Sequence, residues 1–243
     1  MNVWTITDIG AVRSQNQDAC KAEILTEGQA LLVVCDGMGG ARAGNVASEL
    51  AMSVFFDAVL ERLADPERME DVYTLLDEAV TLSNRVVCNR SYGDADCMGM
   101  GTTLVAALIK DQKIFVVNVG DSRGYMVSDD GIRQITRDHS LVEDMVQRGE
   151  ITREQARNHP QKNLITRALG ASEQVVADIF EEPVVPGSCL LLCSDGLTNV
   201  MTDQEILFEV LHGGEKDQCC KRLLDTVLQR GAPDNVTVAL LQM

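Results

Sequence analysis

The stretch that most constrains this chain is Ala30-Leu31-Leu32-Val33-Val34-Cys35-Asp36-Gly37-Met38-Gly39-Gly40, in which an unbroken apolar run meets a carboxylate and then a cluster of glycines. The run is too apolar for a strand with one wet face and predicts a strand buried on both. The glycines permit a sharp turn and a close approach of the backbone to a bound group. Cys189-Leu190-Leu191-Leu192-Cys193-Ser194-Asp195-Gly196 repeats the construction, and Asp234-Asn235 precedes a last apolar run from Val236 to Leu241. An Asp-Gly pair after a strand is commonly only a turn. The strands before Asp36 and Asp195 are too apolar for exposed hairpins, however. Asp36, Asp195 and Asp234 therefore read also as remote carboxylates that neighbouring strands could bring to one point. Gathered carboxylates repel one another and call for a cation. All-oxygen ligation, with a carbonyl such as that of Gly37 added, suits magnesium or manganese and suits zinc poorly.

Because those positions span most of the 243 residues, an interdomain cut would separate them, and one domain is expected over residues 1–243. The formal net charge of −16, from 21 basic and 37 acidic residues, argues against nucleic acid or an anionic membrane as partner. No apolar stretch is long enough to span a bilayer, and Met1 to Asp8 lacks the pattern of a signal peptide, so a soluble cytoplasmic protein is expected. The eight cysteines show no Cys-x-x-Cys or Cys/His ligand spacing and read as reduced core residues. Of the adjacent Cys219 and Cys220, at most one should face the core from a helix.

Hydrophobic patterning predicts strands at Val3 to Asp8, Asp18 to Leu25 and Gln29 to Cys35. In the turn between the first two, Arg13 is either a solvated surface group or, if the turn packs beside Asp36, a bidentate ligand for phosphate. Helices are predicted at Asn45 to Leu63 and from an Asp65 N-cap, with Pro66 at the first helical position and Met69, Val72, Leu76, Val80 and Val87 on one face, to about Asn89. Strands at Thr102 to Ile109, Lys113 to Val119, Gly124 to Ser128 and Ile132 to Thr136 form an antiparallel meander, which excludes a parallel doubly wound sheet. Capping boxes at Ser140–Glu143, Thr152–Gln155 and Thr202–Glu205 start further helices, and a last one runs from about Glu215 to Arg230. Residues 137–163 hold Arg137, Arg148, Arg153, Arg157, Lys162, His139 and His159, a basic island in an acidic chain. It is either a charged surface loop or a flap facing an anionic substrate.

Rival motifs fail on counting. Gly39 to Gly44 has Walker A spacing, but Asn45 stands where lysine is needed; the dinucleotide fingerprint from Gly37 meets Arg42 where glycine is needed. A thiol phosphatase needs Cys-x5-Arg, and Arg42 comes one residue late after Cys35. Asp138-His139-Ser140 has triad residue types, but sequence neighbours cannot adopt the relayed geometry.

The ordered set Arg13, Asn16-Gln17-Asp18, Asp36-Gly37-Met38-Gly39-Gly40, Gly101-Thr102-Thr103, Gly120-Asp121-Ser122-Arg123, Asp138-His139-Ser140, Ser194-Asp195-Gly196-Leu197 and Asp234-Asn235 resembles the metal-dependent serine/threonine protein phosphatases of type 2C in their bacterial single-domain form. The resemblance covers almost the whole chain. It implies an α+β fold, a four-layer α-β-β-α sandwich of two antiparallel sheets flanked by helices, with a variable flap around residues 137–163. By that resemblance Asp36 bridges two manganese or magnesium ions, the Gly37 carbonyl helps hold one, and Asp195 and Asp234 hold the other. Asp18 orients water, Arg13 grips the substrate phosphate, and Asp121 contributes to a third, weaker metal site. Water activated by the ion pair would attack phosphorus directly. Arg137, His139, Arg148, Arg157 and His159 fall in the flap.

The chain departs from the family pattern at Ala41 and Asn45, where bacterial members commonly carry His and Glu. It departs also at Gln17, where many carry Glu, and at Met38, where animal members carry His. That leaves metal-bound water or His139 as the proton donor. The resemblance implies a phosphoserine and phosphothreonine phosphatase acting in signalling, monomeric, with phosphoproteins as substrates and opposed to a bacterial serine/threonine kinase. The alternatives are a catalytically silent phosphoprotein-binding relative and a cysteine-dependent phosphatase.

Overall fold

The computed structural model describes residues 1–38, 43–65 and 71–243; Gly39, Gly40, Ala41, Arg42, Pro66 and Met69 of the sequence reading lie outside them. The strands are β1 (Asn2–Asp8), β2 (Asp18–Thr26), β3 (Gln29–Met38), β4 (Gly101–Thr102), β5 (Leu104–Lys110), β6 (Lys113–Val119), β7 (Arg123–Ser128), β8 (Gly131–Gln134), β9 (Asp178–Pro183), β10 (Cys189–Cys193) and β11 (Val236–Gln242). The helices are α1 (Gly44–Leu63), α2 (Val72–Gly93), α3 (Leu141–Gln147), α4 (Arg153–Arg157), α5 (Asp195–Thr198), α6 (Asp203–His212) and α7 (Cys219–Gln229).

The strands form two antiparallel sheets, one ordered β1-β11-β10-β7-β8 and the other β2-β3-β5-β6-β9 with β4 beside β3. The apolar runs decide the layering, because a strand with no polar face must be covered on both. In β3, Leu31, Val33 and Cys35 pack under α1 and α2 with Phe55 and Leu76, while Ala30, Leu32 and Val34 face the other sheet. In β10 the same alternation sends Leu191 toward α6 and α7 and Leu190 and Leu192 between the sheets. Each leucine buried in this way contributes about 1.5–3 kcal/mol. The result is the four-layer α-β-β-α sandwich.

Several local expectations are corrected. The predicted meander is broken: β5 pairs β6 in one sheet, but β7 and β8 belong to the other. The chain crosses between sheets after Gly120, whose φ of +112° suits only glycine and whose added Cβ would stand 2.5 Å from Thr103 Cγ2. The strand predicted at Thr102 to Ile109 is interrupted at Thr103, which is drawn toward Asp36 and Ser122. The second helix starts at Val72 on an Asp71 cap, whose carboxylate accepts from Thr74 N at 2.8 Å, six residues after the Asp65 start expected. Ser140 caps α3, but Glu143 does not complete the box; its carboxylate is taken by Gln147 and Arg153. The last helix begins at Cys219 after a 3₁₀ turn, and both Cys219 and Cys220 are buried, because α7 packs against α6 on one side and β1 on another. Strand β9, an acidic edge strand with only Ile179 and Phe180 to mark it, carries too weak a pattern to read from sequence. All eight cysteines are free, seven buried and Cys20 half-buried.

Candidate active site

The ends of β3, β10 and β11 and the crossing at Gly120 meet along one edge of the sandwich. They form a cleft of about 530 Å³ lined by Arg13, Gln17, Asp36, Gly37, Thr103, Asp121, Asn163, Ile165, Asp195 and Asp234. Asp36, Asp195 and Asp234, remote in sequence, thus face one space. Asp195 opens α5 immediately after β10, and Asp234 precedes β11, the neighbour of β10 in the sheet. Asp36 comes from the other sheet. Its backbone is clamped on both sides: its N–H donates to Thr103 Oγ1 at 2.9 Å, and its carbonyl accepts from Thr103 N and Thr102 Oγ1, each at 2.9 Å. Gly37 N donates to Gln17 O at 3.0 Å, and a Cβ on Gly37 would fall 2.0 Å from Gly44 O, so no larger residue fits there.

The electrostatics of the metal-free cleft are strained. Burial, with repulsion from Asp18 and Asp195, holds the Asp36 carboxyl well above its ordinary range. Burial pushes Asp18 up to about 7, against the stabilising hydrogen bond from Ser194 Oγ at 2.7 Å. Asp121 is pushed up to about 8 by burial and by Asp195, and Asp195 is raised by burial and by Asp234. One oxygen of Asp195 and one of Asp18 are buried with no hydrogen-bond partner among the described residues. Such a set fits a hard divalent cation, which would satisfy the orphaned oxygens and reverse the repulsion. Among the described residues no three His, Cys, Asp or Glu side chains close around a point tightly enough to hold an ion unaided. Asp234 is turned toward Arg13, whose Nη2 donates to Asp234 Oδ2 at 2.8 Å.

The flap contributes Asn163 to the cleft, followed by Ile165 just beyond it, and none of the basic residues singled out in residues 137–163. His139 is buried: its Nδ1 accepts from Gly120 N at 3.1 Å, and its Nε2 lies 3.2 Å from Asp178 and 3.1 Å from Arg167. Burial lowers its pKa. It braces the crossing at Gly120 and does not line the cleft. Arg137 pairs with Asp144, Arg148 stands 3.9 Å from Glu150, and His159 Nδ1 accepts from Gln161 N. Arg157 and Lys162 line a second cavity of about 350 Å³ that shares Asp121, Asn163 and Asp195 with the first. Of the residues the sequence reading passed over, Asn163 and Ile165 carry no local signal, whereas Thr103, Ser194 and Asn235 stood inside motifs without a role.

The sequence matches the model of the family described as protein phosphatase 2C over residues 11–235. It is 39% identical over 240 residues to the serine/threonine phosphatase stp of Listeria innocua, covering 97% of this chain and 93% of that protein. It is 40% identical over 234 residues to the serine/threonine protein phosphatase PstP of Mycobacterium tuberculosis, covering 96% of this chain and 43% of that longer protein. Among solved structures, the Staphylococcus aureus serine/threonine phosphatase Stp1 superposes with a TM-score of 0.89 at 35% identity, covering 99% of this chain and 94% of that one. The PstP catalytic domain in complex with two manganese ions superposes with a TM-score of 0.82 at 35% identity, covering 98% of this chain and 96% of that one. The fold is that of a phosphoric monoester hydrolase. The chain belongs to the protein phosphatase 2C family of serine/threonine protein phosphatases.

Proposed function

We propose that the protein hydrolyses phosphoserine and phosphothreonine in phosphoproteins, using two manganese or magnesium ions held by Asp36, the Gly37 carbonyl, Asp195 and Asp234, with Asp121 beside a weaker third. The observation that carries this reading is the buried Asp195 oxygen, without a hydrogen-bond partner among the described residues, in a cleft where Asp36, Asp121 and Asp195 all have raised pKa values. When bound, paired divalent ions activate water for attack on phosphorus and neutralise charge on the phosphoryl oxygens. Arg13, half-exposed at the rim, exchanges Asp234 for a phosphate oxygen and orients the group. Asp18, held by Ser194, faces Asp36 and orients water. With His139 withdrawn, the leaving seryl or threonyl oxygen takes its proton from solvent in the cleft.

The substrate chain extends into the second cavity, where Arg157 and Lys162 have no acidic ion-pair partner among the described residues, in contrast to Arg123 with Asp138 and Arg153 with Glu143. We read the protein as a cytoplasmic monomer in phosphorylation signalling, opposing a serine/threonine kinase; no described helix is long and apolar enough to cross a membrane.

The complete acidic set favours this reading over a silent binding protein. A cysteine nucleophile is disfavoured because burial pushes Cys193 up to about 12 and holds Cys35 well above its ordinary range. The test is turnover of a phosphothreonine peptide. Chelation abolishes it, manganese restores it and thiol alkylation leaves it unchanged; alkylation-sensitive, chelator-resistant turnover would refute the reading.

A further inference from the structure

The geometry points to Asn235 as the positioning residue for Arg13, which rests on the reading of Arg13 as the phosphate-gripping group. Arg13 has few restraints of its own. Its side chain is 54% exposed and pairs with Asp234, which the metal reading assigns to a cation. What sets the place of its guanidinium is therefore the backbone of the loop joining β1 to β2. That loop is held from beneath by the Asn235 carboxamide, which is nearly fully buried at 5% exposure. Oδ1 accepts from Gln17 N at 2.8 Å, while Nδ2 donates to Ile9 O at 2.9 Å and to Gln15 O at 3.0 Å. These contacts grip the loop on both sides of Arg13, and Ala11 N donates to Ala232 O at 3.0 Å nearby.

Only a short carboxamide satisfies one N–H and two carbonyls together. Aspartate is isosteric but would set a charged acceptor against two carbonyls. Glutamine is one methylene too long for the same buried space. The neighbouring pair Asp234-Asn235 thus does two jobs: Asp234 lines the cleft and pairs with Arg13, and Asn235 fixes the loop that carries Arg13.

The experiment is a double-mutant cycle on the manganese-loaded enzyme, with a phosphothreonine peptide as substrate and inorganic phosphate as competitive inhibitor. Arg13→Ala raises KM and the phosphate inhibition constant by about tenfold or more. Asn235→Ala raises both by about the same order while kcat and manganese affinity, read by calorimetry, stay within about twofold. Added to Arg13→Ala, it changes neither KM nor the inhibition constant by more than about twofold, the signature of residues acting as a unit. Hydrogen exchange supplies a readout free of catalysis: the Gln17 amide speeds up in Asn235→Ala while β11 amides do not. An unaffected KM for Arg13→Ala would refute the reading of Arg13 itself. An effect of Arg13→Ala without one of Asn235→Ala, full additivity, or loss of a cooperative melt in Asn235→Ala would overturn the positioning role.

Discussion

Asp18 lies directly opposite Asp36 in the antiparallel register of β2 and β3, so a buried carboxylate is fixed as the cross-strand neighbour of one that lines the cleft. Like charges in that relationship destabilise a sheet. Here the strand pairing imposes it, and the backbone clamp on Asp36 from Thr102 and Thr103 prevents retreat.

The first consequence is a pH dependence of the metal-free protein. Burial pushes Asp18 up to about 7 and Asp121 up to about 8, while the unfolded chain releases those protons near pH 4. The folded state therefore binds more protons across that window, and stability falls as pH rises through it. In chelator, the melting temperature should decline between about pH 5 and 8, and saturating manganese should flatten the decline. Thermal melts across that range, with and without manganese, provide the check.

Asp195→Asn separates catalysis from stability. Loss of a ligand should lower kcat/KM by about a thousandfold or more, since ion-pair charge stabilisation is worth several kcal/mol. The metal-free variant should melt at the wild-type temperature or higher, because repulsion with Asp36 and Asp234 has gone. Paired melts in chelator decide it; a clear fall in melting temperature would contradict the electrostatic account.

Arg157→Glu tests the second cavity. Phosphopeptides with acidic residues beside the phosphothreonine should lose about tenfold in kcat/KM, the value of about one charge-assisted contact. An aryl phosphate, too small to reach the cavity, should be turned over at the wild-type rate. Steady-state kinetics on the two substrates measure this directly.

His139→Leu removes the acceptor for Gly120 N and should cost about 1–3 kcal/mol of stability, measurable by denaturant unfolding. If His139 braces the crossing and donates no proton, the pH profile of kcat should keep its shape.

Much of this protein was legible before any coordinates. The double-sided burial of β3 and β10, the free cysteines and the motif set around Asp36, Asp195 and Asp234 all follow from patterns a few residues long. So do the Thr152 and Thr202 capping boxes, which the structure retains. These are local matters: side-chain period, turn chemistry and the need of an apolar run for cover.

Tertiary structure decided the rest, because it depends on what remote segments bring to one another. Sequence placed His139 and four arginines in a basic flap, but packing turned His139 inward onto Gly120 and Asp178 and joined Arg137, Arg148 and Arg153 to acids. The switch of β7 into the opposite sheet and the burial of both Cys219 and Cys220 likewise reflect contacts across the chain. So does the grip of Asn235 on a loop more than two hundred residues away, as a bond between its Oδ1 and Gln17 N at |i−j| of 218 makes plain. The chain's own order could name the polar groups of the cleft; which of them remain free to meet a phosphate is set by the partners that folding supplies to the others.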